Sequence, residues 1–465
     1  MKKQTVINPL KIDKNIITRI PPSPTGLLHI GNVRTFLFNY FFTKQKNGKI
    51  ILRMEDTDKK RSKKEFEEHI LESLKWLGLS YDGEIYRQSE RTDIYKKYLE
   101  KMIEEGSAYI SKEDSSEDKR AEVIRFKNPN KIIEFEDTVR GKISFDTTEL
   151  GDFVIAKSLE EPLYHLTVVV DDFEGEITHV IRGEDGISNT PRQILIQEAI
   201  DAPCPQYTHI PFILSPDRTK LSKRHGATTV TEFRDKGYLK EAVINYLALL
   251  GWNPGTEQEI FSLDELIEKF DLTKIQKGGA IFDIEKLNWV NKEHIKLMSD
   301  EDFRNKVLEF LPEEIKDLVN SNEKVFKKLL PIIKERIEKF EDVVEMNQVG
   351  DLDYYFSQPE YEVEKLFWKD ETDSVLLKKR LEKIIEFLNE VEDFSAEKIK
   401  EKIWDYASEE GRGSVLWPMR YTLSGKEKSP DPFVLADILG KEETINRLKN
   451  AIEKIDTNNQ ITQGI

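Results

Sequence analysis

The chain has 465 residues, of which 38% are hydrophobic and 34% charged, and its 71 basic and 87 acidic side chains give a formal net charge of −16. This acidic balance argues against a general polyanion binder and against binding to an anionic membrane surface, so RNA could be held only through local basic patches. The single cysteine, Cys204, excludes an intramolecular disulfide and a cysteine zinc cluster. The length allows about three domains.

No apolar run approaches the ~20 residues that a membrane-spanning helix needs. The N-terminal segment contains lysines but lacks the apolar core of a secretory signal. We therefore expect a cytoplasmic enzyme without a membrane partner. Residues 1–15 are polar and basic, and we interpret them as a loosely ordered extension that precedes the first strand.

The first strand, near residues 16–17, leads into the loop RIPPSPTGLLHIG at residues 19–31. Apolar side chains then recur at helical spacing over residues 32–45. A proline-stiffened loop that feeds a helix N-terminus suits anion binding, because free N–H groups and the helix dipole favour negative charge. His29 can donate a hydrogen bond to a phosphate there, and Gly31 permits close backbone approach. An ordinary strand-to-helix turn remains the alternative.

A second strand, residues 50–54, ends in the acidic run EDTD at residues 55–58. Three carboxylates at this spacing could bind a metal, or Asp58 could cap the amphipathic helix that follows. Strand, helix, strand and helix in this order predict a parallel α/β sheet, whose ligands bind at the carboxyl ends of the strands. Glu55 and the preceding loop both lie at such ends.

After the polar segment at residues 111–122, the sequence pattern changes from one that predicts helices to one that predicts strands. Strands are expected at residues 139–145, 153–156, 163–170 and 177–182. Further on, Asn189 is expected to cap a helix with Pro191 in its first turn, and Ser262 with Glu265 forms a capping box. Beyond Ser299 the chain is nearly all amphipathic helix, which by itself predicts only a helical bundle.

A second basic loop, KLSKR at residues 220–224, follows a turn-like segment. Two lysines around a serine suit neutralisation of a departing polyphosphate, although such a loop is usually a solvated turn. Together, HIG and KLSKR resemble the two signature sequences of class I aminoacyl-tRNA synthetases. PSPTG, IRGEDGISNTPRQ and KLSKRHG narrow the resemblance to bacterial-type glutamyl-tRNA synthetases, over a stretch from residue 16 to beyond residue 440.

The resemblance implies an α/β fold with a Rossmann-like parallel-sheet catalytic domain and appended RNA-binding regions. The implied domains are the catalytic domain at 16–96 and 166–210, an inserted α+β acceptor-end-binding domain at 97–165, a stem-contact domain with the KLSKR loop at 211–300, and helical anticodon-binding subdomains at 301–375 and 376–456. It implies a glutamate–tRNA ligase, which forms glutamyl-adenylate from ATP and transfers glutamate to the 3′-terminal adenosine of tRNA(Glu). Charging of tRNA(Gln) stays open, and a monomer is expected.

The resemblance also implies a role for each matching residue. Catalysis falls to His29, Lys220 and Lys223. Glutamate is bound by Arg19, Ser23, Glu55, Tyr164 and Arg182, with Glu55 facing the ammonium group. ATP is bound by Thr25, His29, Gly31, Asn32, Asp185, Lys220, Ser222 and Lys223. Mg²⁺ is expected with ATP, and no zinc, because the insertion lacks the cysteines found in many relatives.

Selection of glutamate over glutamine requires a positive charge. A shape difference on the scale of a methylene is worth only ~1–3 kcal/mol, whereas a charge near 4 Å contributes ~4 kcal/mol before desolvation. Which arginine faces the γ-carboxylate stays open, and Arg182 could instead pair with Glu184 or Asp185. The chain departs from the family pattern at Asn32, where a second histidine is usual, and at Val168, often asparagine.

Four other functions share part of this sequence pattern. Glutaminyl-tRNA synthetases typically carry glutamate and asparagine where this chain has Ser23 and Thr25, and their anticodon region is a β-barrel. The truncated glutamyl-queuosine paralogue lacks the C-terminal helices. A small-molecule nucleotidyltransferase shares the HIG-type loop but not a lysine loop followed by RNA-facing residues. A non-catalytic tRNA-binding paralogue is disfavoured by the intact His29, Lys220 and Lys223.

Overall fold

A computed structural model describes residues 4–6, 15–112, 122–221 and 228–463. The predicted ATP-binding residues Ser222 and Lys223 lie outside the described residues, so their roles stay predictions. The chain forms two compact units, Met1–His294 and Ile295–Ile465.

The first unit is a mixed α/β structure. Its strands are β1 Gln4–Val6, β2 Ile17–Ile20, β3 Lys49–Met54, β4 Tyr86–Arg87, β5 Ala108–Lys112, β6 Glu122–Phe126, β7 Ile132–Asp137, β8 Gly141–Asp146, β9 Phe153–Ser158, β10 Glu161–Pro162, β11 His179–Gly183, β12 Gln206–Ile210, β13 Ile213–Leu214 and β14 Ala280–Ile281. Its helices are α1 Ile30–Gln45, α2 Lys64–Leu77, α3 Thr92–Glu104, α4 Tyr164–Glu174, α5 Thr190–Ala199, α6 Val230–Asp235, α7 Lys240–Leu249, α8 Leu263–Lys269 and α9 Ile284–Leu297, the last of which crosses into the second unit.

The described part of the second unit contains helices as its regular elements. They are α10 Asp300–Phe310, α11 Glu313–Ser321, α12 Glu323–Arg336, α13 Glu341–Gln348, α14 Asp353–Phe356, α15 Ser374–Glu390, α16 Ala396–Glu410, α17 Arg412–Ser424, α18 Pro432–Leu439 and α19 Lys441–Gln463. Buried Arg447 on α19 donates to Tyr354 O and Leu423 O, both at 2.6 Å, and to Ser357 O at 2.9 Å. One guanidinium thus satisfies carbonyl groups near the ends of two other helices, which would otherwise lack partners.

Parallel strands form the framework of the first unit. β2 pairs with β3 and β3 with β4, while β11 pairs with β12 and β12 with β7, all in parallel. Thr178 N–H donates to Ile17 O at 2.9 Å, and Arg19 Nη1 lies 3.5 Å from Ile181 O. β2 and β11 therefore run side by side in the same direction. The carboxyl ends of β2, β3 and β11 consequently lie at one edge, where such sheets bind ligands.

Helix α1 is the central element of the first core. Ten of its sixteen residues are buried, because it packs against strands β2, β3 and β11 and helices α7 and α8. The rings of Phe38 and Phe270 lie 5.1 Å apart between centroids, and those of Trp252 and Phe270 5.4 Å apart. Burial of each such side chain stabilises the fold by roughly 1.5–3 kcal/mol. This packing fixes the helix whose N-terminus carries the HIG motif.

The strand expected at residues 163–170 is wrong, because this segment lies in helix α4. Its apolar run is buried as a helix against α3, α5 and β9. A short run rich in valine cannot be told from a buried helix by periodicity alone. The interpretation of residues 1–15 is also wrong in part, since Gln4–Val6 forms a strand paired in parallel with β7.

The segment predicted as an insertion contributes to two sheets. β5, β6, β9 and β10 form an antiparallel sheet. The hairpin β7–β8, between them in the sequence, instead joins the parallel sheet through β12. The boundary of the inserted domain at residues 97–165 therefore stays a prediction. Within this range, the antiparallel sheet is the part that is separate from the parallel sheet.

Helix capping was predicted at Asn189 and at Ser262 and missed at a third site. The capping box of Ser262 and Glu265 at α8 is confirmed. A second box, Thr229 with Glu232, begins α6. Its T-x-x-E spacing was visible in the sequence. Asn189 occupies the N-cap position of α5 without a side-chain hydrogen bond, and Pro191 lies in the first turn.

Among the described residues, no helix is both long enough and apolar enough to span a bilayer.

We predict that His179 makes the stability of the first unit pH-dependent. Burial lowers the pKa of His179 to about 4 from an ordinary value of 6.5. The unfolded chain therefore binds a proton at His179 below pH 6.5, whereas the folded chain binds it only below about pH 4. In that window the free energy of unfolding falls with decreasing pH, by at most about 1.4 kcal/mol per pH unit.

Chemical denaturation of the wild type and of His179→Asn at pH 7 and pH 5 checks this prediction. The other histidines contribute equally to both proteins, so the difference isolates His179. We expect a smaller loss of stability between the two pH values in the variant. Equal losses would contradict the role of His179.

Candidate active site

The HIG motif pairs in the structure with a segment that lies beyond the KLSKR loop in the sequence. Residues 28–30 pair with residues 228–230 through backbone hydrogen bonds of 2.9 and 3.4 Å. A β-bridge between His29 and Thr229 lies between these bonds. Residues 228–230, a short distance beyond the KLSKR loop in the sequence, are thus hydrogen-bonded to the HIG segment. This pairing brings two segments that are far apart in the sequence to one site.

His29 is the N-cap of α1. Its Nδ1 accepts a hydrogen bond from Gly31 N–H at 3.1 Å, so the neutral ring carries its proton on Nε2. A side chain at residue 31 would place Cβ 3.3 Å from that Nδ1, so the His29 ring would have to move by a few tenths of an ångström. The first turn of α1, which includes exposed Asn32, contains no acidic residue. A phosphate at this helix end would meet backbone N–H groups and the positive end of the helix dipole.

A buried ionic cluster lies at the carboxyl ends of β2 and β3. Arg19 is 2% exposed, and its Nε donates to Asp172 Oδ1 at 3.3 Å. Arg53 donates from Nη1 to the same oxygen at 2.6 Å and from Nη2 to Glu55 Oε1 at 3.1 Å. Arg182 lies within electrostatic reach of Arg19 and Asp172. Three guanidinium groups against two carboxylates leave an excess of positive charge, which attracts an anionic ligand.

Burial and charge shift the pKa values in this cluster. Burial lowers the pKa of Arg19, and Asp172 opposes this effect. Burial alone would raise the pKa of Asp172, but Arg53 and Arg19 together hold it below its usual range. Burial raises the pKa of Glu55 even though both arginines oppose the shift. A ligand ammonium group beside Glu55 would stabilise its charged form, and this role stays a prediction.

Arg182 is 9% exposed and is held by protein acceptors. Its Nε donates to His209 Nε2 at 3.0 Å, and its Nη1 donates to Gln193 Oε1 at 2.8 Å. Its Nη2 donates to Gly186 O at 3.2 Å and to Thr190 Oγ1 at 2.7 Å. Four of the five guanidinium N–H groups are therefore used, and one on Nη1 remains. By contrast, Nη2 of Arg19 donates to no described residue. Arg19 is the arginine with a fork available for a carboxylate.

The ion pair considered for Arg182 with Glu184 or Asp185 is not formed. Glu184 accepts a hydrogen bond from Phe212 N–H at 2.7 Å, and Asp185 is exposed. The ammonium group of Lys220 lies 4.3 Å from the centroid of the Phe212 ring. The IRGED segment and the start of the KLSKR loop therefore adjoin through residue 212.

Ser23 and Tyr164 both lie beside Glu55. Ser23 donates from Oγ to the carbonyl oxygen of Glu55 at 2.9 Å and so supports its backbone. Tyr164 begins α4 and is 40% exposed. Burial and then the charge of Glu55 raise the pKa of Tyr164, so its hydroxyl stays protonated and able to donate. Thr25 is half-buried in the loop between Ser23 and His29.

The acidic run at residues 55–58 forms neither a metal cluster nor a helix cap. Asp56 accepts hydrogen bonds from Ser89 N–H and Oγ at 2.8 and 2.5 Å. Asp58 caps the short turn that follows it, whereas the N-cap of α2 is Lys63. No group of three or more His, Cys, Asp or Glu side chains in the described part of the chain is arranged to hold a metal ion. Both interpretations of this run from the sequence are therefore wrong.

Three residues of the site were missed in the sequence. Arg53 and Asp172 form the centre of the ionic cluster, and each is a charged residue in or beside an apolar run, which signals a buried, paired charge. His69 on α2 links the loop before α1 to the start of α6, because its Nδ1 accepts from Leu28 N–H at 3.3 Å and its Nε2 lies 3.1 Å from Thr231 Oγ1. No sequence pattern marks His69.

Comparisons with known proteins agree with this geometry. The family model for “tRNA synthetases class I (E and Q), catalytic domain” matches residues 15–117 and 110–289, and that for “Anticodon binding domain” matches residues 302–452. Glutamate–tRNA ligase 2 of Caldicellulosiruptor saccharolyticus is 37% identical over 94% of this chain and 98% of its own length. The chain belongs to the family of class I glutamate–tRNA ligases.

Two further relatives support the membership in this family. The glutamate–tRNA ligase of Carboxydothermus hydrogenoformans is 40% identical over 93% of this chain and 98% of its own. A crystal structure of the glutamate tRNA ligase of Elizabethkingia meningosepticum, in complex with its amino acid, is similar with a TM-score of 0.82. It is 34% identical, and the match covers 95% of this chain and 99% of that one. The predicted family, enzyme class and α/β fold with a helical C-terminal region are confirmed.

Proposed function

We propose that the protein attaches glutamate to tRNA(Glu) in two steps. First, an α-carboxylate oxygen of glutamate bonds to the α-phosphorus of ATP, while the bond from that phosphorus to pyrophosphate breaks and pyrophosphate takes the electron pair. Next, a ribose hydroxyl of the 3′-terminal adenosine loses its proton and attacks the carbonyl carbon, and AMP leaves. The observation that carries this proposal is the pairing of residues 28–30 with residues 228–230, in a chain whose parallel strands carry the arginine cluster at their carboxyl ends.

The phosphates of ATP bind at the N-terminus of α1. His29 donates from Nε2 to a phosphate oxygen, and the first-turn backbone approaches closely because residue 31 is glycine. Lys220 and Lys223 hold the leaving pyrophosphate, where positive charge is worth most as the bond breaks. Thr25, Asn32, Ser222 and Asp185 complete the contacts with ATP. Mg²⁺ enters with ATP and is held mainly by its phosphate oxygens, as this cation prefers.

Glutamate binds in the ionic cluster. Arg19 offers its free fork to one carboxylate, and Arg182 offers the remaining N–H of Nη1. Glu55 faces the ammonium group, and Tyr164 closes the pocket. Since a carboxylate gains a charge-assisted pair that an amide cannot form, the cluster selects glutamate over glutamine.

The remainder of the chain contacts tRNA and not a membrane. The antiparallel sheet of β5, β6, β9 and β10 binds the acceptor end, residues 211–300 contact the stem, and the helices after residue 300 bind the anticodon. The family match of residues 302–452 supports this arrangement. We propose a cytoplasmic monomer without zinc, and charging of tRNA(Gln) as a second activity to be tested.

Two assays with the full chain test this function. The first assay measures the attachment of labelled glutamate to purified tRNA(Glu) and to purified tRNA(Gln). We expect attachment to tRNA(Glu), and the result with tRNA(Gln) decides whether that tRNA is also charged. ATP–pyrophosphate exchange with glutamate, with and without tRNA, separates the two steps. His29→Ala and Lys220→Ala are each expected to slow exchange about 10²-fold. No attachment of glutamate to either tRNA would refute the proposal.

We also predict that His69 acts as a positioning residue between the loop before α1 and the start of α6. His69→Ala removes the acceptor of Leu28 N–H and the link to Thr231, at a cost of about 1–3 kcal/mol for the unpaired group. The turnover of exchange should fall roughly tenfold, with a smaller change in the glutamate KM.

The matched control is Glu68→Ala, at an exposed neighbouring position on the same helix. It should leave turnover unchanged. Equal turnover in His69→Ala and Glu68→Ala would remove His69 from the site.

A further inference from the structure

Asp137, His209 and Arg182 form a line of buried polar side chains on three neighbouring parallel strands. β12 lies between β7 and β11. In the register of these strands, His209 is opposite Arg182, and Tyr207 is opposite Asp137. Side chains two residues apart on a strand point to the same face of a sheet. The three polar side chains therefore share one face, at the carboxyl ends of the strands where the proposed site lies.

Asp137 determines which nitrogen of the fully buried His209 ring carries the proton. Oδ2 of Asp137 accepts hydrogen bonds from the backbone N–H and from Nδ1 of His209, at 3.0 and 2.7 Å. Oδ1 accepts from Val139 N–H and Arg140 N–H at 3.0 and 2.8 Å, which prevents the carboxylate from turning. Burial lowers the pKa of His209, although the hydrogen bond with Asp137 opposes the shift. The neutral ring therefore donates from Nδ1 and presents Nε2 as an acceptor.

His209 in turn fixes the orientation of Arg182. Nε2 of this histidine accepts a hydrogen bond from Arg182 Nε at 3.0 Å. The guanidinium carbon lies 5.5 Å from the centroid of the Tyr207 ring, which stacks on the His209 ring. A Cβ at residue 186 would lie 2.4 Å from Arg182 Nε, so the glycine at this position leaves room for the guanidinium group. Because the guanidinium group is planar, a fixed Nε also fixes the direction of the free N–H on Nη1.

We propose that His209 and Asp137 are positioning residues for glutamate selection. Asp137 sets the tautomer of His209, and His209 holds Arg182 so that the free N–H on Nη1 meets a carboxylate of glutamate. Neither residue touches the substrate, and none of the roles given above uses Asp137. The inference rests on the role proposed for Arg182 in glutamate binding, and it adds the two residues that determine the orientation of that arginine.

Asp137→Asn should reverse the tautomer of His209. An amide that keeps its oxygen toward Val139 N–H and Arg140 N–H directs its NH2 group to His209, where it donates to Nδ1. The ring proton then lies on Nε2 and faces Arg182 Nε–H, so the hydrogen bond between these two groups is lost. We expect the glutamate KM in ATP–pyrophosphate exchange with tRNA(Glu) to rise about tenfold, and the ATP KM to change by less than about twofold. An unchanged glutamate KM would overturn the role of Asp137.

Two substitutions of His209 separate positioning from a purely structural role. His209→Phe keeps a ring against Tyr207 but removes the acceptor of Arg182 Nε, and it should raise the glutamate KM about tenfold. His209→Gln supplies an amide oxygen near the position of Nε2 and should restore most of this loss. The control, Thr208→Val, removes a hydrogen bond from the equally buried Thr208 to Thr138 and should leave the glutamate KM unchanged. A glutamate KM as high in His209→Gln or in the control as in His209→Phe would overturn the inference.

A double-mutant cycle with Arg182→Gln distinguishes this inference from the proposed function itself. If His209 acts through Arg182, adding His209→Phe to Arg182→Gln should change the glutamate KM by less than about twofold. Losses that multiply would show that His209 acts independently and would contradict the inference. Wild-type kinetics of Arg182→Gln alone would refute the role proposed for this arginine, and the inference with it. The cycle uses no variant of Asp137, so it decides the role of His209 even if Asp137→Asn does not fold.

Discussion

Asp172→Asn is expected to destabilise the first unit by about 3–5 kcal/mol, because loss of one partner leaves buried charges uncompensated. Asp172 Oδ1 accepts from both Arg19 and Arg53, at 3.3 and 2.6 Å. The side chains of these arginines are 3% and 2% exposed, so water cannot replace the lost carboxylate. The two guanidinium groups would then repel each other without a shared anion. The glutamate KM should rise as well, since Arg19 loses the contact that orients it.

Chemical denaturation measures this loss of stability. The matched control is Asp58→Asn, which removes a carboxylate in a solvated turn near the same edge of the sheet. That variant should leave the free energy of unfolding nearly unchanged. If Asp172→Asn and Asp58→Asn behave alike, the ionic cluster does not hold the site together.

Arg19→Gln is expected to lower kcat/KM for glutamate on the order of 100-fold or more, since truncation of a buried partner of a carboxylate costs several kcal/mol. Arg53 still pairs with Asp172 in this variant, so the fold should survive. Arg19→Lys should restore only part of the activity, because a single ammonium group cannot reproduce the planar fork. Arg182→Gln should lower both activity and stability, since it also breaks contacts with His209 and Thr190.

Exchange kinetics with glutamate and with glutamine in each variant test this prediction. Selectivity between the two amino acids should collapse for the arginine that faces the γ-carboxylate, which identifies it. Arg61→Gln, at a 73% exposed side chain, is the control and should behave as the wild type. Wild-type activity and selectivity in both Arg19→Gln and Arg182→Gln would place the pocket elsewhere.

The sequence predicted those parts of the site that depend on residues close together in the chain. The loop at residues 19–31 and the helix after it follow from proline, glycine and apolar spacing, and the structure places His29 at the N-terminus of that helix. The family resemblance supplied Arg19, Glu55 and Tyr164, which the structure brings together. Local patterns of this kind can be predicted from the sequence because they act through the backbone conformation of neighbouring residues.

The remaining features depend on contacts between distant segments. The pairing of Arg19 and Arg53 with Asp172 spans more than a hundred residues, and periodicity contains no information about it. Helix α4 was predicted as a strand because its run of valines is buried whichever form it takes. The link through His69 depends on the placement of α2 against the loop before α1 and the start of α6.

A crystal structure of the full chain with a non-hydrolysable glutamyl-adenylate analogue tests the central claim most directly. We predict one glutamate carboxylate within hydrogen-bonding distance of Arg19, the ammonium group beside Glu55, and the phosphate at His29 and the N-terminus of α1. An analogue bound with its glutamate moiety away from Arg19 and Arg182, or with its phosphate away from His29, would contradict this account.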